Sequence, residues 1–115
     1  MIDLTKIEHI YLVPGYTDMR KQADGLLSLL SVKYPNTLIK PKQLYIFCGR
    51  TRTIIKVLEV DGTGVWVYYK RTNGDKFIWP KDKDISLIDK RQLNWFLEGL
   101  NIRQKNAHKT KYFSY

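Results

Sequence analysis

A pair of carboxylates on one helix face could support catalysis, and Asp18 and Asp24 are the obvious candidates in this sequence. A separation of six residues rotates one about 240° around the axis of a predicted helix from the other, so they do not face one another. A general acid and a general base must both face the reacting group, so this spacing does not favour acid–base chemistry. We interpret Asp18 as a charge at the helix start and Asp24 as the ion-pair partner of Arg20.

The histidines and the single cysteine give no stronger indication of an active site. His9 and His108 have no neighbours at metal-ligand spacing, and Cys48 ends an apolar run beside Gly49, as a buried thiol would. No glycine-rich phosphate loop, serine elbow or zinc-protease helix is present. We therefore predict no catalytic residue, metal, cofactor or small-molecule substrate. A small nuclease that uses Asp18, Asp24 or a histidine is the rival enzyme hypothesis.

Positive charge is the main chemical signal. The 115 residues include 20 Lys and Arg against 11 Asp and Glu, a formal net charge of +9 that favours a polyanionic partner, nucleic acid first. Arg20 and Lys21 fall in the first turn of a predicted helix, where a phosphate would meet their charges and unpaired backbone N–H groups. The alternative is that Asp18 and Asp24 simply neutralise them.

A second basic cluster is predicted from the order of the strands. Alternate turns of a meander project from the same end of the sheet, so residues in two such turns would form one positive rim. Trp66 and Tyr68 would share one face of the third meander strand, where aromatic rings suit base stacking. The alternative is an inward-facing aromatic core with charges that protect loops and edges. The predicted rim consists of Arg50, Arg52, Lys70 and Arg71.

Short β-branched and aromatic blocks predict the sheet that positions these charges. We expect a four-stranded antiparallel meander over residues 44–80, with its last strand at 76–80. Asp-Gly and Asn-Gly in the second and third joints supply the positive φ of tight turns. A run at 9–13, ended by Pro14-Gly15, predicts an earlier strand. The joints of the meander are residues 49–53, 61–64 and 72–75.

Two helices are expected to cover the sheet. Thr17 is predicted as the N-cap of the first helix, which Pro35 would end, and Gly25 indicates a close neighbour at that point. Asp89 is predicted to cap the second helix, which would end near Gly99. Their apolar faces are Met19, Ala23, Leu26, Leu27 and Leu30, and Leu93, Phe96, Leu97 and Leu100.

The predicted fold class is α+β, with a mostly antiparallel sheet of four to five strands packed with two helices. We expect a single domain over residues 1–102 and a flexible basic tail over 103–115. The N-terminus lacks a basic cap followed by an apolar run, and no apolar segment approaches membrane-spanning length. The expected location is therefore the cytoplasm, with no membrane partner.

Several motifs resemble a known family, the TnpB accessory proteins of insertion-sequence family sixty-six. The resemblance covers about residues 10–101 in matching order. It implies a small non-catalytic protein of a bacterial element, encoded beside a separate transposase and needed for movement of the element. No catalytic residues are available to transfer. The matching residues are Tyr11-Leu12, Gly15, Thr17-Asp18-Met19-Arg20-Lys21, Asp24-Gly25-Leu26, Phe47-Cys48-Gly49-Arg50, Lys56, Asp61-Gly62-Thr63-Gly64, Tyr69-Lys70-Arg71, Phe77-Ile78-Trp79-Pro80 and Gln92-Leu93-Asn94-Trp95-Phe96-Leu97-Glu98-Gly99.

We therefore expect an accessory protein that assists DNA transposition by binding the element ends, the element-encoded transposase, or both. In this hypothesis the helix N-terminus positions the DNA strand and the basic side chains neutralise phosphates. The alternative is a pure protein-interaction module that tethers the transposase through exposed aromatic side chains, without DNA contact. The predicted phosphate contacts are Arg20, Lys21, Arg50, Arg52, Lys70 and Arg71.

Overall fold

A five-stranded mixed sheet with one helix on each face organises the chain, as seen in a computed structural model that describes residues 2–36, 39–81 and 84–97. The strand order across the sheet is β4-β3-β2-β1-β5. A 3₁₀ turn at Leu4–Lys6 precedes the first strand. The elements are β1 (His9–Leu12), α1 (Ala23–Lys33), β2 (Gln43–Cys48), β3 (Ile54–Val60), β4 (Val65–Arg71), β5 (Ser86–Ile88) and α2 (Lys90–Leu97).

Strands β2, β3 and β4 form the antiparallel part of the sheet, as their β-branched and aromatic residues predict. The β3–β4 register runs from Ile54 opposite Arg71 to Val60 opposite Val65 without a slip. Gly62 has a φ of +88° in the connecting turn, a conformation that glycine adopts without steric cost. The turn predicted from Asp-Gly is therefore confirmed.

Strand β1 lies parallel to β2, with His9 opposite Gln43 and Leu12 opposite Ile46. A parallel pair requires a crossover connection, and α1 supplies it. Strand β5 pairs antiparallel with β1 on its other side. The predicted fold class is confirmed, since the sheet is mostly antiparallel and is packed with two helices.

The predicted fourth meander strand at 76–80 is wrong. Phe77 and Trp79 alternate with exposed neighbours as in a strand, but the Phe77 N–H and the Trp79 indole bond to loops at the end of the sheet. The N–H of Phe77 donates to the carbonyl of Arg52 at 2.8 Å, and the Trp79 indole donates to the carbonyl of Val13 at 2.9 Å. Two buried rings thus fix an irregular segment, and β5 takes the remaining edge of the sheet.

The predicted helix start at Thr17 is also wrong, because α1 begins at Ala23 after an extended Gln22. The N–H of Thr17 donates to the carbonyl of Cys48 at 2.8 Å, which attaches this segment to the end of β2. The Asp18 carboxylate accepts the backbone N–H of Arg20 at 2.9 Å. Such a local side-chain bond offers the backbone an alternative to the helix.

The N-cap of α2 is confirmed. The Asp89 carboxylate accepts the N–H of Gln92 at 2.8 Å, and the Gln92 side chain accepts the N–H of Asp89 at 2.9 Å. This reciprocal pair is a capping box. Leu93 is fully buried, whereas the predicted stop at Gly99 and the predicted tail at 103–115 lie outside the described residues.

Apolar side chains fill the space on both sides of the sheet, because successive strand residues point to opposite faces. We call these sides the α1 face and the α2 face after the helix that packs on each. Within the described ranges, no helix is both long and apolar enough to cross a membrane. The buried cores are Val13, Leu26, Leu30, Tyr45, Phe47 and Leu58 on the α1 face, and Ile7, Ile10, Leu12, Leu44, Ile46, Cys48, Ile55, Val57, Phe77, Trp79 and Leu93 on the α2 face.

Candidate nucleic-acid interface

The topology brings three loops to one end of the sheet. Strands β1 and β2 are parallel and β4 is antiparallel to β3, so the segments that follow β1, β2 and β4 project from the same end. We call this the basic end. Besides the buried Lys56, its described basic residues number eight, namely Arg20, Lys21, Arg50, Arg52, Lys70, Arg71, Lys76 and Lys81, and its four described acidic residues are Asp18, Asp24, Asp75 and Asp84.

The other end of the sheet carries a nearly balanced set of charges. Its described basic residues are Lys6, Lys33, Lys40, Lys42, Lys90 and Arg91, and its acidic residues are Asp3, Glu8, Glu59, Asp61 and Asp89. The excess positive charge of the described chain is therefore concentrated at the basic end. An asymmetry of this kind creates a directed positive potential that attracts polyanions.

Arg20 is exposed at the basic end and forms an ion pair with Asp18. Its Nη2 lies 2.8 Å from Asp18 Oδ2, and its Nε lies 3.0 Å from Asp18 Oδ1. Hydrogen bonds from the side chain and backbone of Arg20 hold the pKa of the Asp18 carboxyl well below its usual range. The interpretation of Asp24 as the ion-pair partner of Arg20 is wrong, because Arg20 pairs with Asp18.

Lys21 belongs to the same loop, before α1 rather than in its first turn. The prediction that a helix N-terminus and the charges of Arg20 and Lys21 share one turn is therefore wrong. The Lys21 side chain packs against Gly25, where an added Cβ would lie 3.2 Å from Lys21 Cβ. This contact is the close neighbour that a glycine inside the helix indicated.

Lys56 is a buried lysine that the sequence analysis named only within the family resemblance, without predicting its burial. It lies in the middle of β3, is 9% exposed, and donates from Nζ to the carbonyl of Lys21 at 2.8 Å. The bond ties the loop before α1 to the sheet. The signal in the sequence was a lysine within an apolar strand, Ile-Ile-Lys-Val-Leu. Because a charge is rarely buried without a partner, a lysine at such a position indicates a specific hydrogen-bond acceptor.

A cleft of about 740 Å³ lies between the loop at 16–20 and the turn after β2. Met19 covers Gly49 so closely that an added Cβ on Gly49 would lie 2.7 Å from Met19 Cγ. Arg20 lines one wall of the cleft and Arg50 the other, so the two basic clusters inferred separately from the sequence meet here. The lining residues are Tyr16, Thr17, Asp18, Met19, Arg20, Gly49, Arg50, Thr51 and Ile54.

The four residues of the predicted rim lie at this end, although they do not face one way. Arg50 is exposed in the turn, and Arg52 has a left-handed φ of +62°. Lys70 is opposite Ile55 and projects on the α2 face, whereas Arg71 is opposite Ile54 and projects on the α1 face. The rim therefore surrounds the end of the sheet, and its role in DNA binding stays a prediction.

Trp66 and Tyr68 share the α2 face of β4, but they lie beside carboxylates. Trp66 is 58% exposed, and its indole donates to Asp61 Oδ2 at 2.7 Å. The Tyr68 hydroxyl donates to Glu59 Oε1 at 2.7 Å; burial and this carboxylate raise the pKa of Tyr68 to about 12. Trp66 lies toward the end of the sheet away from Arg71, so base stacking by these rings also stays a prediction.

The Asp61 carboxylate and the Cys48 thiol have structural surroundings. Asp61 accepts N–H bonds from Thr63 and Gly64 and so holds the β3–β4 turn. Cys48 is fully buried, and burial raises the pKa of its thiol to about 12. Among the residues that the structure describes, no group of three or more His, Cys, Asp or Glu side chains is arranged to hold a metal ion.

These features define a small α+β protein with a strongly basic end formed by loops. The sequence model of the IS66 Orf2 like proteins matches residues 8–107, and the chain belongs to that family. It is 31% identical over 96 residues to the uncharacterized protein y4hO of Sinorhizobium fredii, an alignment that covers 82% of each chain. No solved structure matches it. Membership identifies an insertion-sequence accessory protein, in a family that is in general not enzymatic.

Proposed function

We propose that this insertion-sequence accessory protein assists transposition by binding element DNA at its basic end, together with the element-encoded transposase. The observation that carries the proposal is the polarised charge of the described residues, with eight basic and four acidic side chains at one end of the sheet. The family places the protein in an insertion sequence. The charge distribution supports the DNA backbone as the ligand.

Exposed arginines are the main phosphate contacts in this proposal. Arg50 in the turn after β2 and Arg71 at the end of β4 lie at an end of the sheet where Lys76 and Lys81 are also exposed. Guanidinium groups bind phosphate oxygens in a forked geometry that a single point charge does not provide. Arg20 lines the same cleft as Arg50, but its charge is shared with Asp18, so its contribution is smaller.

Backbone contacts of this kind fix position without reading sequence. Trp66 and Tyr68 are too close to Asp61 and Glu59 to form part of the cationic surface. We therefore assign the choice of DNA sequence to the transposase, and assign to this protein an affinity that depends on salt. A module that binds only the transposase is the alternative.

Fluorescence anisotropy with a labelled duplex that carries an element end tests the proposal directly. Binding is measured across a salt series, with a scrambled duplex for comparison. We expect a steep fall of affinity with salt and little preference for the element end. The double variant Arg50→Glu with Arg71→Glu should lower the slope of log K against log salt by about 2, because each lost phosphate contact removes about one unit.

The matched control carries the same charge change at the other end of the sheet. Lys6→Glu with Lys40→Glu also alters the net charge by four units, at two exposed lysines distant from the cleft. If binding depends on the basic end, this control keeps most of the salt slope. Equal losses in both variants would contradict a localised interface. No binding of the unaltered protein at low salt would overturn the proposal and favour the module that binds only the transposase.

A further inference from the structure

Strand β4 presents the longest open edge in the described sheet. It has seven residues and, among the described strands, pairs with β3 alone, whereas the other edge strand, β5, has three residues. Its segment 65–69 reads Val-Trp-Val-Tyr-Tyr, without charge or proline, and its register shows no bulge. Edge strands are normally protected by such features, so an edge without them is a surface for strand pairing.

The backbone groups on this edge follow from the two ends of the β3–β4 ladder. The N–H of Thr72 donates to the carbonyl of Thr53 at one end, and the N–H of Asp61 donates to the carbonyl of Gly64 at the other. Hydrogen-bonded and non-bonded pairs alternate between them in an antiparallel ladder. The N–H and C=O groups that point away from β3 are therefore those of Val65, Val67, Tyr69 and Arg71.

We propose that β4 pairs antiparallel with β4 of a second copy of this chain, around a two-fold axis at Tyr68. Val65 then lies opposite Arg71 of the second copy, and Val67 lies opposite Tyr69. All four outward residues of each strand are paired, with about eight backbone hydrogen bonds. Sliding the strands to the next symmetric register leaves one outward residue of each strand unpaired.

The charges along the edge fit a second copy in this orientation. Arg71 is exposed at one end of β4. Antiparallel pairing places Arg71 of each copy opposite Val65 of its partner, so the two arginines lie at opposite ends of the paired strands, whereas parallel pairing would place them together. Pairing also covers Trp66 and Tyr69, which are 58% and 56% exposed on opposite faces of the strand.

The resulting ten-stranded sheet would carry its two basic ends at opposite extremes. If the proposed DNA interface is correct, one dimer holds two separate DNA segments, as bringing two element ends together requires. The dimer itself does not depend on that function, because it is formed by backbone pairing along β4, and of the outward edge residues only Arg71 also belongs to the basic end. Its failure and the failure of DNA binding are therefore distinguishable in DNA-free solution.

Disulfide trapping tests both the dimer and its register in the full chain. Residues in a non-hydrogen-bonded antiparallel pair have Cα atoms about 4.5 Å apart, which a disulfide can span. Tyr68→Cys should therefore give a covalent dimer on mild oxidation. In the control Trp66→Cys, the two cysteines would be roughly 13 Å apart and should not link. The native Cys48 is buried and does not interfere.

Sedimentation velocity over a concentration series supplies a second readout that needs no cysteine. Val67→Pro removes an outward N–H and should raise the dimer dissociation constant at least about tenfold, since two hydrogen bonds per dimer are lost. Val67→Ala loses similar side-chain packing but keeps the N–H, and should dimerise more tightly than the proline variant. A monomer at all concentrations, a dimer equally tolerant of Val67→Pro and Val67→Ala, or linking through Trp66→Cys instead would each overturn the proposal.

Discussion

The ammonium group of Lys56 in β3 donates a 2.8 Å hydrogen bond to the backbone carbonyl of Lys21 in the loop before α1. The two residues are 35 positions apart, and the bond connects the interior of the sheet to the loop that carries Arg20. The loop is attached a second time through the N–H of Thr17 and the carbonyl of Cys48. The basic end thus depends on a buried charge for part of its geometry.

Lys56→Met should loosen this loop while the sheet stays folded. Methionine retains most of the side-chain volume but cannot donate to the Lys21 carbonyl. A hydrogen bond from a charged group contributes about 1.5 kcal/mol or more, so amides in residues 17–22 should exchange roughly tenfold faster. Hydrogen exchange measured by mass spectrometry provides the test. Lys40→Met, at an exposed position, is the control, and unchanged exchange in 17–22 would contradict a role for Lys56 in holding the loop.

Gly49→Ala should destabilise the protein by about 1–3 kcal/mol, because its new Cβ would meet Met19 Cγ at 2.7 Å. Denaturant unfolding gives the measurement. Gly64→Ala is the control, since nothing lies within 4 Å of a Cβ at that glycine. Adding Met19→Ala should relieve part of the cost of Gly49→Ala through a favourable coupling. If Gly49→Ala lowers the free energy of unfolding equally with and without the Met19 side chain, the contact with Met19 is not the cause of the destabilisation.

The sequence predicted the elements more completely than their junctions. The β2–β3–β4 strands, the turn at Gly62 and the cap at Asp89 depend on local propensity and turn chemistry, and all are present. The start of α1 could not be predicted because Met19 fits a helical apolar spacing, yet it packs on Gly49, thirty positions away. Long-range contacts of this kind override local pattern.

The candidate site was predicted as two separate basic clusters, and the meander rule places only one of them, Arg50, Arg52, Lys70 and Arg71, at one end of the sheet. Their junction at the Arg20–Arg50 cleft required the parallel pairing of β1 with β2, which no local signal indicates. The pairing of Arg20 with Asp18 instead of Asp24 follows from the same error, because helical spacing was assumed where the chain forms a loop.

The Cys48 thiol should resist alkylation in the native protein. Burial raises its pKa to about 12, so the thiol is neutral at pH 8 and is also inaccessible. Iodoacetamide labelling followed by mass spectrometry should be slow in buffer and should accelerate through the unfolding transition. Ser28→Cys, on the exposed surface of α1, supplies a rapidly labelled control in the same molecule. Rapid native labelling of Cys48 would show that β2 is accessible without unfolding.

Asp18→Asn should strengthen DNA binding, because it releases the Arg20 guanidinium from its ion pair and still accepts the Arg20 N–H. We expect about threefold tighter binding at low salt than for Asp24→Asn, which makes the same change of net charge at a nearby position. Equal gains in the two variants would show that net charge alone matters. The measurement is the anisotropy titration used for the element-end duplex.

The pH dependence of Asp18 has a defined sign. Its folded-state pKa is below its unfolded value, so its contribution to stability is present above about pH 4 and declines as the pH falls through the folded pKa. The carboxylate therefore stays ionised throughout pH 5–8 and continues to neutralise Arg20. The gain in affinity from Asp18→Asn should consequently be the same at pH 5 and pH 8, whereas a gain that vanished at pH 5 would require a different partner for Arg20.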